Sequence, residues 1–372
     1  MSGLYIHIPF CRKRCNYCDF FFITNTKRKK EFLNALSSEI SLLSDQYNGE
    51  KFDTVFFGGG TPTVLTSAEI SDVIKNLEDS FNIDINSEIT MESNPEDFSD
   101  VSTDNYLKAG INRFSFGVQS FIDSELKFLT RQHTSEMAEQ VIRLTSSLTK
   151  NISVDIIYSL PLQTEEDINY SISKAIDCGA NHISAYSLTY EKGTVLYKSA
   201  EKNPLLKKDP LKDSEFYFKV SERLISEGFE HYEISNFARP GYRSRHNLKY
   251  WTYKNYLGLG PSSHSFFFNK RWNNLRSYSG YVKTLIENRL PSENKYKPDT
   301  EQIKLEYIML GLRSEGVNFD TFKKLTGENF ETEYKSETEE LFSAGLAFIK
   351  DGNLKLTEKG YSIADEITAR FF

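Results

Sequence analysis

The chain has 372 residues, 39% hydrophobic and 26% charged, enough for one large domain and a small one. Its 45 basic and 52 acidic residues leave a formal charge of −7, which argues against nucleic acid or anionic lipid as a general partner. No apolar run reaches the roughly 18 residues of a transmembrane helix, so direct membrane insertion is not expected.

The chain begins almost at once with a strand-like run, Leu4-Tyr5-Ile6-His7-Ile8, which leaves no room for a signal peptide and predicts a cytoplasmic location. Residues 11–18 follow, Cys-Arg-Lys-Arg-Cys-Asn-Tyr-Cys, carrying three of the four cysteines at spacing C-x₃-C-x₂-C. Thiolates on one short loop can hold a structural zinc ion, with His7 or Cys178 as fourth ligand, or an iron–sulfur cluster. Zinc ligands usually arrive as two separated pairs and no second pair exists here, which favours the cluster. Three thiolates on a four-iron cluster leave one iron open to a small molecule. Clustered thiols suit a cytosolic metal protein better than a disulfide scaffold. Cys178, at the end of a helical pattern before Gly179, reads as a buried structural thiol.

Phe32, Leu33, Leu36, Ile40 and Leu43 form the stripe of a helix over residues 27–47, with Lys27-Arg28-Lys29-Lys30 as its solvated start. Residues 52–57 predict a buried strand ending in Gly58-Gly59-Gly60-Thr61-Pro62. Thr66 and Glu69 make a capping box for a helix carrying Ile70, Val73, Ile74, Leu77 and Phe81. Strand-like residues 87–92 precede Asn94-Pro95 and a short helix stopped by Gly110. A strand over 112–116 leads to Gly117-Val118-Gln119, and helical patterns run from 121 to 148. Residues 152–158 predict a strand with Asp155 at its centre, Ile168, Ile172 and Ile176 mark a helix, and residues 182–187 a sixth strand. This alternation predicts βαβ units and a parallel sheet whose strand C-termini share one face. Six strands are too few for a closed eight-stranded barrel, so the fold class is α/β with an open or partial barrel.

Beyond residue 190 a charged connector (202–213), a helix (214–227) and an edge strand (229–235) complete a main domain expected at 1–235. Residues 236–297, rich in Tyr, Trp, Phe, Asn and Gly, are expected to form a cap over a ligand. Residues 298–372 read as helices plus a hairpin with an Asp351-Gly352 turn, a winged-helix-like C-terminal domain.

Ligands of parallel α/β sheets bind beyond the strand C-termini. There the chain places the cysteine loop, the glycine run, Glu92 with Asn94, Gln119, Asp155 with Tyr158, and residues 186–189. The glycine run lacks both the P-loop Lys-Ser/Thr and the dinucleotide spacing. Its exposed carbonyls could accept from an ammonium group that Glu92 would neutralise; the alternative is a tight turn beside a solvated carboxylate.

These motifs carry a resemblance. The C-x₃-C-x₂-C loop after a first strand, with Gly-Gly-Gly-Thr-Pro after a second, resembles the radical S-adenosylmethionine superfamily. Tyr5-Ile-His-Ile-Pro-Phe-Cys11, Phe57-Gly-Gly-Gly-Thr-Pro-Thr63, Glu92-Ser-Asn-Pro95, Phe116-Gly-Val-Gln-Ser-Phe121 and Asp155-Ile-Ile-Tyr-Ser-Leu-Pro161 resemble its oxygen-independent coproporphyrinogen III oxidase group over essentially the whole chain. In the true oxidases a further Cys follows the third cluster cysteine after one residue, whereas Asp19-Phe20 follow Cys18 here. Arg245-His-Asn-Leu-Lys-Tyr-Trp251 is similar to the His-Asn-x-x-Tyr-Trp signature of the HemW branch, haem-binding chaperones thought to deliver haem to respiratory enzymes, most without oxidase activity.

The resemblance implies a partial (β/α)₆ radical-SAM barrel and a [4Fe–4S] cluster on Cys11, Cys15 and Cys18. The open iron would chelate the amino and carboxylate groups of S-adenosylmethionine, with Gly59 and Glu92 at the methionine moiety and Tyr5 against the same ligand. Positions matching a second S-adenosylmethionine of the oxidases are Tyr17, Gly60, Thr61, Gln119, Arg131, Asp155 and Leu188. A histidine such as His246 is ordinarily a hydrogen-bonded residue. Imidazole is also a common axial haem ligand, and with the branch signature around it His246 is expected to contact haem, covered by Tyr250 and Trp251. His231 and His264 are weaker candidates. The implied partners are haem and the respiratory proteins that receive it, with a homodimer left open. The competing reading is the oxidase itself: one electron from the cluster cleaves S-adenosylmethionine, and the 5′-deoxyadenosyl radical takes hydrogen from a propionate side chain of coproporphyrinogen III, ending in decarboxylation.

Overall fold

Six parallel strands, paired in sequence order, form the centre of a twelve-stranded sheet. The structure is a computed structural model and describes residues 1–98, 102–207 and 209–372. In chain order the first half comprises β1 (Ser2–Ile8), α1 (Lys29–Tyr47), β2 (Lys51–Gly59), α2 (Ser67–Ser80), β3 (Asn82–Ser93), α3 (Ser102–Lys108), β4 (Arg113–Gln119), α4 (Asp123–Phe128), α5 (Ser135–Leu148), β5 (Ile152–Tyr158), α6 (Glu165–Asp177) and β6 (His182–Ser187). The expected alternation holds throughout, and the capping box of Thr66 and Glu69 starts α2. β1 and β6 do not pair with each other, so the sheet stays open.

The strands have two unlike faces. Leu4, Ile6, Val55, Phe57, Ile89, Met91, Phe114, Phe116, Val154, Ile156 and Ile183 join the main hydrophobic cluster together with Phe32, Leu36 and Ile40 of α1 and Ile70 and Ile74 of α2. Because side chains alternate along a strand, the intervening positions share the other face. They are Tyr5, His7, Thr54, Thr90, Glu92, Arg113, Ser115, Ser153, Asp155 and Ser184, mostly polar. Helices cover the apolar face, and the polar face leads to the site.

The second half contains α7 (Val195–Lys202), α8 (Pro210–Ser226), β7 (Glu230–Glu233), β8 (Asn236–Ala238), α9 (Arg245–Trp251), β9 (Tyr256–Leu259), β10 (His264–Phe267), β11 (Lys270–Asn274), α10 (Tyr278–Ile286) and β12 (Ser292–Tyr296). β8 lies antiparallel beside β6 with β7 outside it, while β9 runs parallel to β1 and β10 to β12 follow on that edge. Residues 236–297 therefore differ from the expected cap: they extend both edges of the sheet. Their strands span only three to five residues, too short for alternation to register, and the aromatics Phe237, Phe267, Tyr278 and Tyr281 are core side chains.

The end of the chain folds as α11 (Thr300–Leu312), β13 (Val317–Asn318), α12 (Phe319–Thr326), α13 (Phe330–Glu333), α14 (Lys335–Ser343), β14 (Ala347–Lys350), β15 (Asn353–Leu356), α15 (Glu358–Tyr361) and α16 (Ala364–Thr368). Helices surround a small antiparallel sheet of order β13-β15-β14, and Asp351 and Gly352 both take positive φ in the β14–β15 turn. A second hydrophobic cluster holds these elements together and includes Phe266 of β10 and Tyr253 from the turn between α9 and β9. His231 clamps the two parts: its ring stacks 4.1 Å from Phe237, and its Nδ1 lies 2.8 Å from the Glu358 carboxylate. Among the described residues no helix is long and apolar enough to cross a membrane.

Candidate functional site

The C-terminal ends of the central strands surround a cavity of about 400 Å³. Its lining includes Cys11, Cys15 and Cys18, and also Tyr17, Gly59, Gly60, Thr61, Glu92, Gln119, Arg131, Asp155 and Leu188. Twelve of the fourteen residues expected at the site from the sequence thus face one space, and Tyr5 and His246 do not.

Backbone pairing beyond β1 seats the cysteine loop. The Gly60 N–H donates to Ile8 O at 2.8 Å, the Thr61 N–H to Phe10 O at 2.6 Å and the Cys11 N–H to Ile23 O at 3.1 Å. This closeness explains two glycines. A Cβ on Gly60 would lie 2.6 Å from Phe10 O, and one on Gly59, whose φ is +104°, would lie 2.5 Å from the His7 ring. Within the loop, the Asn16 N–H donates to the Thr130 hydroxyl oxygen at 2.9 Å and its Nδ2 donates to Phe128 O at 2.7 Å.

Two donors point at the thiols: Thr61 Oγ1 to Cys11 Sγ and Arg131 Nη1 to Cys15 Sγ, each at 3.5 Å. Burial pushes the Cys11 thiol up to about 12 and raises that of Cys18. Among the described residues no three His, Cys, Asp or Glu side chains gather as they would around one metal ion. A four-iron cluster attaches each thiolate to a different iron and spaces them more widely, and donors to sulfur are what such a cluster meets in a protein. Three thiols, two of them with side-chain donors beside them, and an open cavity in front fit that group.

Arg131 forms one wall. Its Nη2 donates to Asn94 Oδ1 at 2.5 Å and Gly117 O at 2.7 Å, while its buried Nε has no partner and remains available to an acceptor in the cavity. Across from it are two carboxyls. Glu92 accepts the Gly59 N–H at 3.1 Å; burial, reinforced by the neighbouring Asp155 carboxylate, lifts it to about 7. Asp155 accepts the Ser115 hydroxyl at 3.3 Å and is raised to about 6, chiefly by burial, against the pull of Arg113 and Arg131. Gln119 ends β4 at φ 72°, a strained conformation for a side-chain-bearing residue that turns it toward the cavity rim. Leu188 is buried with Ile157, Leu160 and Leu196 behind the opposite rim.

His246, expected to contact haem, lies apart from this cavity. It is 1% exposed, and both ring nitrogens are engaged, Nδ1 with the Thr54 hydroxyl at 2.8 Å and Nε2 with the Tyr250 hydroxyl at 2.9 Å. Thr54 and the adjoining Gly3 stand near the starting ends of β2 and β1, away from the cysteine loop. A polar aromatic stretch suits a buried hydrogen-bond network as well as a ligand cover, so composition could not separate the two. Tyr5 also lies below the cavity, its ring stacked 6.1 Å from Phe56 and its hydroxyl 3.3 Å from His7 Nδ1. His231 is the clamp described above, and His264 is an exposed residue at the start of β10.

Asn94 was expected at this strand end beside Glu92, whereas Asn16, Ser115 and Thr130 were not singled out. Ser115 had a signal in the sequence, a polar residue at alternate positions of an apolar strand, in step with Gly117. Asn16 and Thr130 had none, since their contact joins loops 114 residues apart.

The sequence profile described as "Radical SAM superfamily" matches residues 5–175, and that described as "HemN C-terminal domain" matches residues 299–363. The chain is 33% identical to a protein of Bacillus subtilis described as "Heme chaperone HemW", over 100% of this chain and 99% of the relative. A Synechocystis protein of the same description is 37% identical over 84% of this chain and 78% of its own. Mouse "Radical S-adenosyl methionine domain-containing protein 1, mitochondrial" is 29% identical over 98% and 86%. Among solved structures, coproporphyrinogen III oxidase (HemN) of Escherichia coli superposes with a TM-score of 0.86 at 20% identity, covering 100% of this chain and 89% of that one.

Proposed function

The chain belongs to the HemW family within the radical SAM superfamily, and from that membership we infer that it is a haem chaperone, which binds haem and passes it to haem proteins. The observation that carries this is the 33% identity to a described haem chaperone along the whole of both chains. The likeness to the oxidase, at 20% identity, supports the fold alone. We read the recipients as respiratory haem proteins and the location as the cytoplasm. We take residues 1–235 as the radical SAM domain, 236–297 as a connector built into its sheet, and 298–372 as the C-terminal domain.

In this reading Cys11, Cys15 and Cys18 hold a [4Fe–4S] cluster, which when bound supplies an open iron and one electron at a time to S-adenosylmethionine. Thr61 and Arg131 donate to the sulfurs and moderate their charge. Gly59 and Gly60 leave room for the ligand's amino-acid end, and Glu92 meets its ammonium group. Arg131 offers its free Nε to an acceptor, with Tyr17, Thr61, Gln119, Asp155 and Leu188 as the remaining walls, where a second S-adenosylmethionine would also have to lie.

The test uses anaerobically reconstituted protein. Haem is titrated by absorbance, and the protein is then incubated with coproporphyrinogen III, S-adenosylmethionine and a reductant. Stoichiometric haem binding without protoporphyrinogen is the expected result; turnover of the porphyrinogen would replace the chaperone by the oxidase.

A further inference from the structure

Helix α9, which carries the His-Asn-x-x-Tyr-Trp signature, lies against the starting ends of β1 and β2 and the middle of β3 at Glu88. The N–H groups of Arg245 and His246 donate to the Glu88 carboxylate at 3.3 and 3.1 Å. Asp53 pairs with Lys249 at 2.5 Å and with Arg245 at 3.1 Å. The seating is close enough to require glycine beneath it: a Cβ on Gly3 would lie 2.9 Å from Lys249 Cδ and 3.0 Å from His246 Cε1.

From this helix a line of contacts runs upward to the cavity. The His246 ring stacks on Phe56 at 5.1 Å and 30°, with Tyr5 at 6.4 Å and Tyr250 at 5.3 Å around it. The Phe56 ring edge and the Glu92 carboxylate both abut Gly58, where a Cβ would meet each at 2.9 Å. Glu92 in turn holds the Gly59 N–H. His246 is therefore two contacts from the glycine run, through Phe56 to Gly58. Burial, with Lys249 beside it, holds its pKa down to about 3, so the ring is neutral and two hydroxyls satisfy it.

We propose that His246 and Tyr250 are positioning residues: through Phe56 they support the Glu92–Gly59 wall of the cavity and so set S-adenosylmethionine affinity, and they do not ligate haem. This rests on the reading that the cavity holds S-adenosylmethionine. Axial ligation by His246 would break a buried hydrogen bond to Thr54 or Tyr250 and lift a helix anchored by two ion pairs and Glu88. Leaving such buried groups unpaired is costly.

The experiment compares reconstituted full-length wild type with His246→Ala, His246→Gln and Tyr250→Phe. Haem binding is read from the position and stoichiometry of the Soret band. S-adenosylmethionine binding is read by calorimetry and by the change it makes in the electron paramagnetic resonance of the reduced cluster. The expected result is an unchanged Soret band in every variant. His246→Ala should weaken S-adenosylmethionine binding about tenfold, the size expected for loss of buried hydrogen bonds, and alter the ligand-bound resonance. His246→Gln, which keeps a polar partner, should recover most of the affinity, with Tyr250→Phe between. A shifted or lost Soret band with normal S-adenosylmethionine affinity would overturn the proposal, as would no change in either. Should His246→Ala fail to fold, Tyr250→Phe decides, because it keeps the ring and removes only the hydroxyl. Wild type that binds no S-adenosylmethionine would remove the cavity reading and this proposal with it, whereas normal binding by wild type and all variants removes only this proposal.

Discussion

Replacing Glu92 by glutamine isolates the carboxylate that would meet the ligand's ammonium group. Burial, and then Asp155, hold this carboxyl at about 7, so it is largely protonated in mildly acidic solution. Asp155 is the charged group that acts on it and titrates nearby, at about 6, while Tyr5, Tyr186 and Tyr250 around it stay neutral because burial and the Glu92 charge raise them. If the ammonium binds only the ionised form, the apparent Kd is the intrinsic value divided by the ionised fraction. For a group titrating near 7 that fraction is about 0.09 at pH 6 and about 0.76 at pH 7.5, so affinity should rise about eightfold across the window. Calorimetry in two buffers of different ionisation enthalpy should also detect a proton released on binding, approaching about one at the acidic end. Glu92→Gln keeps an acceptor for Gly59 but cannot ionise: binding should be weak and nearly flat with pH, apart from the Asp155 contribution. The effect on folding has the opposite sign. A raised carboxyl favours the folded state fully below about 4.5, and that contribution is lost as pH climbs through about 7, so Glu92→Gln should remove a loss of stability in the ligand-free protein over that range. A wild-type affinity independent of pH, or an equal slope in the variant, would refute the assignment of Glu92.

Two further outcomes follow from the cysteine loop. Metal analysis of the reconstituted protein should give about four iron and four sulfide per chain and no stoichiometric zinc, and Cys15→Ser should lose the cluster absorbance. Gly59→Ala forces a side chain into a positive φ and against the His7 ring, a backbone strain of about 1–3 kcal/mol before the clash is counted. Reconstitution yield and S-adenosylmethionine affinity should both fall, and full retention of both would show that this wall tolerates displacement.

Much of the fold could be read locally. The six central strands and their helices declare themselves by periodicity and caps, and the Asp351-Gly352 turn by its residue types. The cysteine spacing, the glycine run and Glu92 fall at strand ends, where a parallel sheet collects ligands, and Asp155 at the centre of β5 points to the same face. The parts that escaped are long-range. β9 pairs with β1 across some 250 residues of chain, and strands of three to five residues carry no readable alternation, so residues 236–297 suggested a cap. His246 escaped for the same reason. Its signature marks it, but only the topology places α9 at the starting ends of the strands, opposite the cysteine loop. Alternating polar residues such as Thr90–Glu92 and Ser153–Asp155 did hint at a polar interior, because a parallel sheet buried on both faces is usually apolar throughout.

A haem chaperone carries haem and hands it on, so transfer to an acceptor is the most direct measurement. Reconstituted protein loaded with one equivalent of haem is mixed with an apo haem enzyme of the respiratory chain, and the acceptor's spectrum and activity are followed against free haem at the same concentration. Activity should appear in the acceptor while the donor's Soret band declines in step, with the iron–sulfur absorbance unchanged. Haem that stays on the donor, or that activates the acceptor no faster than free haem does, would contradict the chaperone reading.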